Sequence, residues 1–259
     1  MTAPRTYQTE AIIIKRIKLG EADRILTLYT PELGKLKAVA KGTRRPKSKL
    51  GGHVELLTHS RLMLARGRNL DIITQAQTVD NFLPIKDDLE HISQGLYIAE
   101  LVDSFTGEHI EDQQLFELLL ETLKQLSQSK DCEPVLRYFE LHFLDHLGYR
   151  PQLKHCTDCN SPLKPDSNFF SSRLGGVICP GCGFNEPMAR PLSLNALKVL
   201  RLWQNCDFAA VGRVKINKEL AIELEQVMRE YIKYLLEKQL KSTAWLDRLK
   251  SEESHKITP

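Results

Sequence analysis

Four cysteines carry the clearest chemistry in this chain. Cys156 and Cys159 lie in CTDC, Cys179 and Cys182 in CPGC, giving C-x2-C-x19-C-x2-C. A two-residue separation lets both thiolates of a tight turn point at one ion, and two such turns complete a tetrahedron around it. Asp158, Gly181 and Gly183 suit the turns, and the nineteen intervening residues can form a short hairpin turning at Gly175-Gly176. Four thiolates leave no position for water or substrate. The spacing therefore predicts one structural Zn²⁺ rather than a catalytic ion, with an iron–sulfur cluster on the same thiolates, or four unligated thiols, as the competing readings. Cys132 and Cys206 fall outside the pattern and read as helix core. His155 precedes Cys156 but is superfluous beside four thiolates. His142 and His146 have the i, i+4 spacing of metal ligands, but in HFLDH a zinc peptidase's Glu is replaced by Phe143, and packing accounts for the pair.

No other constellation nominates a reaction. The phosphate-loop pattern G-x-x-x-x-G-K-[ST] and the nucleophile elbow G-x-S-x-G are missing, and no G-x-G-x-x-G follows a strand. These features predict a binding protein, not an enzyme.

The second chemical feature is charge. KGTRRPKSKL, residues 41–50, contains five cations and no acid, although the whole chain is only +3. From Lys35 to Lys49 there are seven cations: Lys35, Lys37, Lys41, Arg44, Arg45, Lys47 and Lys49. Residues 1–80 hold 15 Lys/Arg against 7 Asp/Glu, a balance of +8, and the rest of the chain is −5. Like charges this dense repel one another, and a polyanionic partner offsets that cost. A solvated loop kept soluble by charge is the plainer reading; Arg61, Arg66 and Arg68 further on favour nucleic acid. Tyr7 and Tyr29 are the only aromatic residues before residue 81. With little to stack bases on, the grip must come mainly from phosphates, so sequence preference should be weak and single and double strands should both bind. Such a protein leaves base edges free to pair.

The elements that position these groups change character near Pro84. Before it, Tyr7–Arg16, Arg24–Thr30, Leu36–Ala40, His53–Ala65 and Leu70–Val79 read as about five strands with no helix. That count predicts a five-stranded β-barrel of the OB type, which an SH3-like barrel fits almost as well. Alternation in Lys35–Val39 would let one strand face present lysines, followed by a mobile basic loop. After Pro84, three- and four-residue apolar spacing predicts a helix from Asp87 or Asp88, then helices over Leu115–Leu126, Val135–Leu147, Leu194–Trp203 and Leu220–Leu240, with Ser193 and Asn217 as N-caps. The tail KSEESHKITP should fray. The expected architecture is α+β and multidomain: a barrel at 1–82, then an all-α domain at 83–259 with a four-cysteine zinc finger inserted at about 154–186. With 42% hydrophobic and 27% charged residues, no apolar run near the roughly 18 needed to span a bilayer, and no secretory signal, a soluble cytoplasmic protein with reduced cysteines is expected.

These residues resemble a known family, the bacterial recombination mediator RecO. GEADRILTLYTPELGKLKAVAKGTRRPKSKLGGHVEL (20–56) is similar to its N-terminal signature; FLDHLGYRPQLKHCTDC, CPGC and LKSTAWLDRL are similar to its helical part. The resemblance implies an OB-fold followed by a helical domain carrying a zinc finger. It also implies a non-enzymatic role in recombinational DNA repair: binding single- and double-stranded DNA, annealing complementary strands, engaging the C-terminal tail of single-strand-binding protein, and working with RecR to load RecA. A cytoplasmic, nucleoid-associated location follows. Some members lack a full cysteine set; this chain has all four. By position, DNA contacts would fall on the cations from Lys35 through Lys49, with Arg24 a weaker candidate. The tail's pocket cannot be carried over residue by residue, although the helix Leu194–Trp203, with Lys198 and Arg201, has suitable chemistry.

Two other classes compete. In a transcription-type regulator the zinc ribbon would read nucleic acid, but Lys164 and Arg173 there are balanced by Asp158 and Asp166. A metal nuclease would need carboxylates on the basic face, where Glu21 and Asp23 are the only close pair.

Overall fold

The computed structural model describes residues 5–165 and 167–256, with side chains described as far as residue 237. Five strands come first: β1 (Thr6–Leu19), β2 (Asp23–Thr30), β3 (Gly34–Ala40), β4 (His59–Ala65) and β5 (Asp71–Asp80). They close into a barrel in the order β1-β2-β3-β5-β4, with β1 pairing antiparallel to both β2 and β4. The β3–β5 seam is parallel, through Ala38, Val39 and Ala40. Closure leaves no sheet edge, and period-two alternation sends Ala11, Ile13, Leu26, Leu28, Leu36, Ala38, Leu62, Leu64 and Ile73 into one core. A register shift between Ile13 and Lys15 bends β1, and its last five residues pair on with β2 as far as Leu19.

The fourth strand starts later than alternation predicts, at His59 rather than His53. Gly51–Val54 form a 3-10 turn that drives Val54 into the barrel core, and Leu57 takes a left-handed conformation at φ 58°. Leu57 N–H then donates to the Ile13 carbonyl at 2.8 Å and Ile13 N–H to Thr58 at 3.1 Å. Alternating hydrophobicity here records a plug rather than an extended strand.

Beyond the barrel lie α1 (Leu83–Asp87), α2 (Leu89–Phe105), α3 (Gln113–Gln128) and α4 (Glu133–His146). Asp88 caps α2 by accepting the His91 N–H at 2.9 Å, and Asp112 caps α3 through Leu115 N–H at 2.9 Å. The chain divides into two compact units, 1–139 and 140–259. The change from strand to helix near residue 82 is therefore not a break in packing: α2 lies on β1 and α3 on β2 within the first unit.

The second unit holds the interruption. β6 (Asn168–Ser171) and β7 (Gly176–Ile178) form the expected hairpin, with Gly175 at φ 73°. A third strand, β8 (Ala189–Leu192), was not expected; it pairs with the other side of β6. The second cysteine pair opens α5 (Pro180–Gly183). Helices α6 (Leu194–Trp203), α7 (Phe208–Val211) and α8 (Lys218–Lys256) complete the unit, with Ser193 and Asn217 capping α6 and α8 through Ala196 N–H at 3.1 Å and Leu220 N–H at 3.0 Å. Residues 250–256, expected to fray, continue α8, while 257–259 lie outside the described residues. No helix among the described residues is long and apolar enough to cross a membrane.

The β2–β3 turn admits no side chain at its glycine. Gly34 sits at φ +60°, and a Cβ there would lie 1.8 Å from the Ile110 carbonyl oxygen. Gly34→Ala should lower stability by about 1–3 kcal/mol in urea denaturation, since a left-handed alanine adds strain to the clash. An unchanged midpoint would show that Ile110 simply moves aside.

Candidate nucleic-acid interface and thiol centre

The basic segment, expected as a loop, runs through hydrogen-bonded turns tied to the β1–β2 connection. Gly42, at φ +66°, donates its N–H to the Asp23 carboxylate at 2.7 Å. Arg44 donates its backbone N–H to Ala22 at 3.0 Å and its guanidinium to the Gly20 carbonyl at 3.1 Å. Thr43 is buried and reaches the Ala40 carbonyl at 3.2 Å. Ser48 accepts the N–H groups of Leu50 and Gly51, the latter at 3.1 Å, which starts the 3-10 turn. The backbone is thus anchored at both ends while Lys41, Arg44, Arg45, Lys47 and Lys49 are all exposed. None of the five forms an ion pair with a described residue.

The other expected contacts are differently placed. Lys35 and Lys37 share the outer face of β3, but this is the face that α2 and the following turn cover. Lys35 is 9% exposed; its ammonium donates to the Asp103 backbone carbonyl and sits 3.3 Å from the Asp103 carboxylate. Lys15 reaches the same carboxylate at 2.7 Å. Burial opposes ionisation of Asp103, but the two ammonium groups outweigh it and hold the carboxyl below the usual carboxylate value. Lys37 is exposed and pairs with Glu108 at 2.5 Å, a hydrogen bond that raises the lysine and lowers the acid. Arg24 shares Glu55 with Arg16, its own contact being 3.1 Å. The chain therefore supplies counter-charges to Lys35, Lys37 and Arg24 and leaves the five loop cations to solvent. Elsewhere on the barrel, Arg61 pairs with Glu10 at 3.0 Å and Arg66 lies over the Tyr7 ring at 5.2 Å. Asp103 and Glu108 are the residues that sequence reasoning missed, because they lie far along the chain from the lysines they neutralise, Asp103 being 68 residues beyond Lys35 and 88 beyond Lys15.

The four cysteines come together as the spacing requires. Their sulfur atoms all lie within 4.8 Å of one another, and Cys159 and Cys179 are 3.8 Å apart. Four thiolates about 2.3 Å from a tetrahedral ion would be separated by about 3.8 Å, so the donor set fits one metal ion. The turns are held from outside. Asn160 N–H donates to the Cys156 carbonyl at 2.9 Å with φ 57°, and Cys182 and Gly183 N–H groups donate to the Cys179 carbonyl at 3.1 and 2.9 Å. Cys179 N–H points at the Cys156 sulfur at 3.3 Å. Thr157 joins the first turn to β7, its N–H and hydroxyl both reaching the Val177 carbonyl at 2.9 Å. Gly183 is needed for close packing, because a Cβ would lie 2.3 Å from the Phe169 ring. Ser161, whose hydroxyl is 3.0 Å from the Cys159 sulfur, joins the centre without having been signalled by the spacing; its hydrogen bonds, with those of Cys156 and Cys182, lower the Cys159 thiol.

The remaining candidates lie apart from this centre. Burial pushes the Cys132 thiol up to about 11. His142 Nε2 is 2.9 Å from the Trp203 carbonyl, and His155 is exposed outside the thiol cluster.

Comparison with known proteins covers the whole of this arrangement. Residues 1–82 match the family model described as recombination protein O N terminal, and residues 86–244 match recombination protein O C terminal. The chain is 43% identical over 249 residues to the DNA repair protein RecO of Dehalococcoides mccartyi, covering 96% of this chain and 98% of that protein. It is 44% identical over 243 residues to that of a Roseiflexus species, covering 94% and 86%. With the protein of the same name from Pelotomaculum thermopropionicum it shares 38% over 246 residues, covering 94% of each.

If the thiols form one ligand set, the purified protein should carry about one equivalent of metal by elemental analysis, and Cys179→Ser should lose it and lower the thermal stability of the second unit. A fully stable Cys179→Ser protein would show that the four thiols need no ion.

Proposed function

This chain belongs to the RecO family of DNA repair proteins, and from that premise we propose that its barrel holds DNA by the phosphates, through Lys41, Arg44, Arg45, Lys47 and Lys49, and leaves base edges free to pair. One observation carries this reading: five exposed cations without internal counter-charges, on a backbone fixed at both ends. Phosphate contacts fix a strand in place without reading its sequence, so single and double strands are both accommodated. A strand held this way can meet its complement, which is the geometry of annealing. Lys35, Lys37 and Arg24 act in this account as structural or supporting charges rather than primary contacts.

The rest of the proposal follows the family. The strand order, with a parallel β3–β5 seam, supports an OB-type barrel. The thiol centre supports a single structural Zn²⁺ in a finger that braces the second unit. The finger's one arginine, Arg173, is paired with Glu186, which argues against the ribbon as the DNA reader. The protein has no catalytic role in this scheme: it works in the cytoplasm, at the nucleoid, as a mediator with RecR and single-strand-binding protein in loading RecA. Asp23, the carboxylate nearest the basic face, is occupied in holding Gly42. An acidic, apolar-ended tail needs a slot with nearby cations. A groove of about 680 Å³ offers Lys198 and Lys215 beside Val199, Leu202, Val214 and Leu220 for that role, and Glu219 and Glu223 line it too, Glu223 being held by Ser193. Arg201 is not part of it, because its guanidinium donates to the Leu153 carbonyl at 2.7 Å.

With five phosphates neutralised, the logarithm of single-strand affinity should fall with the logarithm of salt concentration at a slope of about −3.5. A slope near zero in a fluorescence-anisotropy titration would mean that the contacts are not ionic.

A further inference from the structure

The start of α2 and the end of α3 are joined through one imidazole. His91, in the first turn of α2, turns both ring nitrogens to oxygen acceptors: Nδ1 is 2.8 Å from the Asp88 carboxylate and Nε2 is 2.9 Å from the Ser129 carbonyl. An ionised carboxylate and a backbone carbonyl only accept. A neutral imidazole carries one N–H and can satisfy one of the two; the imidazolium carries two and satisfies both. The two acceptors belong to different elements. Asp88 caps the start of α2 and also accepts the His91 backbone N–H at 2.9 Å, whereas Ser129 ends α3. The carbonyl end of a helix is the negative end of its dipole, so a cation is favoured there as well.

The charges around the ring favour the same state. Glu90, Asp131, Asp88 and Glu133, from the start of α2 and from the α3–α4 connection, all act on the buried Cys132 thiol, three residues past Ser129. The cations of the surrounding elements are engaged elsewhere or face water. Arg137 of α4 lies 3.7 Å from Glu133, Lys86 of α1 donates to Thr58 at 2.7 Å, Lys124 of α3 acts on His59, and Lys130 is exposed. The hydrogen bond to the Ser129 carbonyl and then that to Asp88 raise the imidazole above its ordinary value, although burial opposes them.

We propose that His91 is a proton-operated latch: charged, it ties the first turn of α2 to the end of α3, and neutral, it releases one of the two. The latch bears on the barrel. Gly95, one turn further along α2, is where the plug rests, a Cβ there lying 2.6 Å from Leu57 Cδ1. The helix start that the latch steadies therefore supports the segment that closes the barrel end after the basic loop. The sign follows from the direction of the shift. A histidine raised in the folded protein contributes its stability in full below the ordinary value of about 6.5 and loses it as pH climbs through the raised value. The first unit thus tightens in a mildly acidic medium and loosens as pH rises.

The test follows the His91 ring protons of the whole protein by NMR through a pH titration. The midpoint should lie above about 6.5, and Asp88→Asn, which keeps an oxygen to cap α2 but no charge, should bring it down. In thermal melts His91→Gln mimics the neutral ring, because it has one nitrogen to donate from in place of two. It should melt about 2–4 °C below the parent at about pH 5.5 and within about 1 °C of it at about pH 8.5. A parental midpoint at or below about 6.5, or one that Asp88→Asn leaves in place, overturns the latch. An equal melting gap at both pH values makes His91 a packing residue only and overturns it too. Should His91→Gln not fold, the titrations of the parent and of Asp88→Asn decide alone.

Discussion

The connection between β3 and β4 must do two incompatible things, and the way it does them organises the first unit. It has to close the end of the barrel, which demands burial, and it has to display like charges, which demands exposure. The chain separates the tasks by residue. Val54 and Thr43 face inward, one in the core and the other bonded to Ala40, while the side chains of the cations between them face out. Asp23 and the Ala22 carbonyl hold the backbone from the neighbouring turn, and the Gly20 carbonyl accepts one N–H of the Arg44 guanidinium. Fastening the segment without any ion pair leaves the charge of its cationic heads uncompensated. Had the loop been fastened by salt bridges to Lys47 or Arg45, it would be equally ordered and would have nothing left to offer a polyanion.

The same logic explains the lysines that do not take part. A cation largely withdrawn from water needs a partner, and Lys35 has one in Asp103. That pair, with Lys15 and the Lys37–Glu108 contact, fastens α2 and its following turn to the outer face of the sheet. Half of that face is thereby structural. The second unit keeps its own balance. Arg173, Arg190 and Arg229 are matched to glutamates, and its cysteine turns are tied by Thr157 and Gly183 to the small sheet they flank.

How far the sequence reveals this depends on the range of the interaction. The cysteine cluster was legible because its geometry is local: each pair lies within one turn, and only the hairpin between them had to be inferred. Helix starts at Asp88, Ser193 and Asn217 were legible for the same reason, since an N-cap acts over three residues. Long-range facts were not. Alternation in Lys35–Val39 correctly assigned two faces to β3, but whether the lysine face meets solvent depends on Asp103 and Glu108, which no local pattern connects to it. The segment His53–Leu57 alternates as a strand would and instead forms a plug, because the barrel end needed filling. Strand β8 was hidden in ARPL, which contains a proline and is short, and β8 is recognisable only by its pairing with β6. The expectation of a mobile loop came from its Gly, Pro and Ser content; the hydrogen bonds of Gly42 and Ser48 show those residues making defined turns.

The central claim, that cations held outward on a fixed loop grip the strand while base edges stay free, is tested most directly by the rate at which complementary oligonucleotides anneal. The measurement uses the folded parent and the variant Lys41→Ala/Arg44→Ala/Arg45→Ala/Lys47→Ala, followed by fluorescence energy transfer between labelled strands. The account predicts that the parent accelerates duplex formation and that the variant, equally stable to heat, falls back to nearly the protein-free rate. Annealing by the folded variant at the parental rate would contradict it.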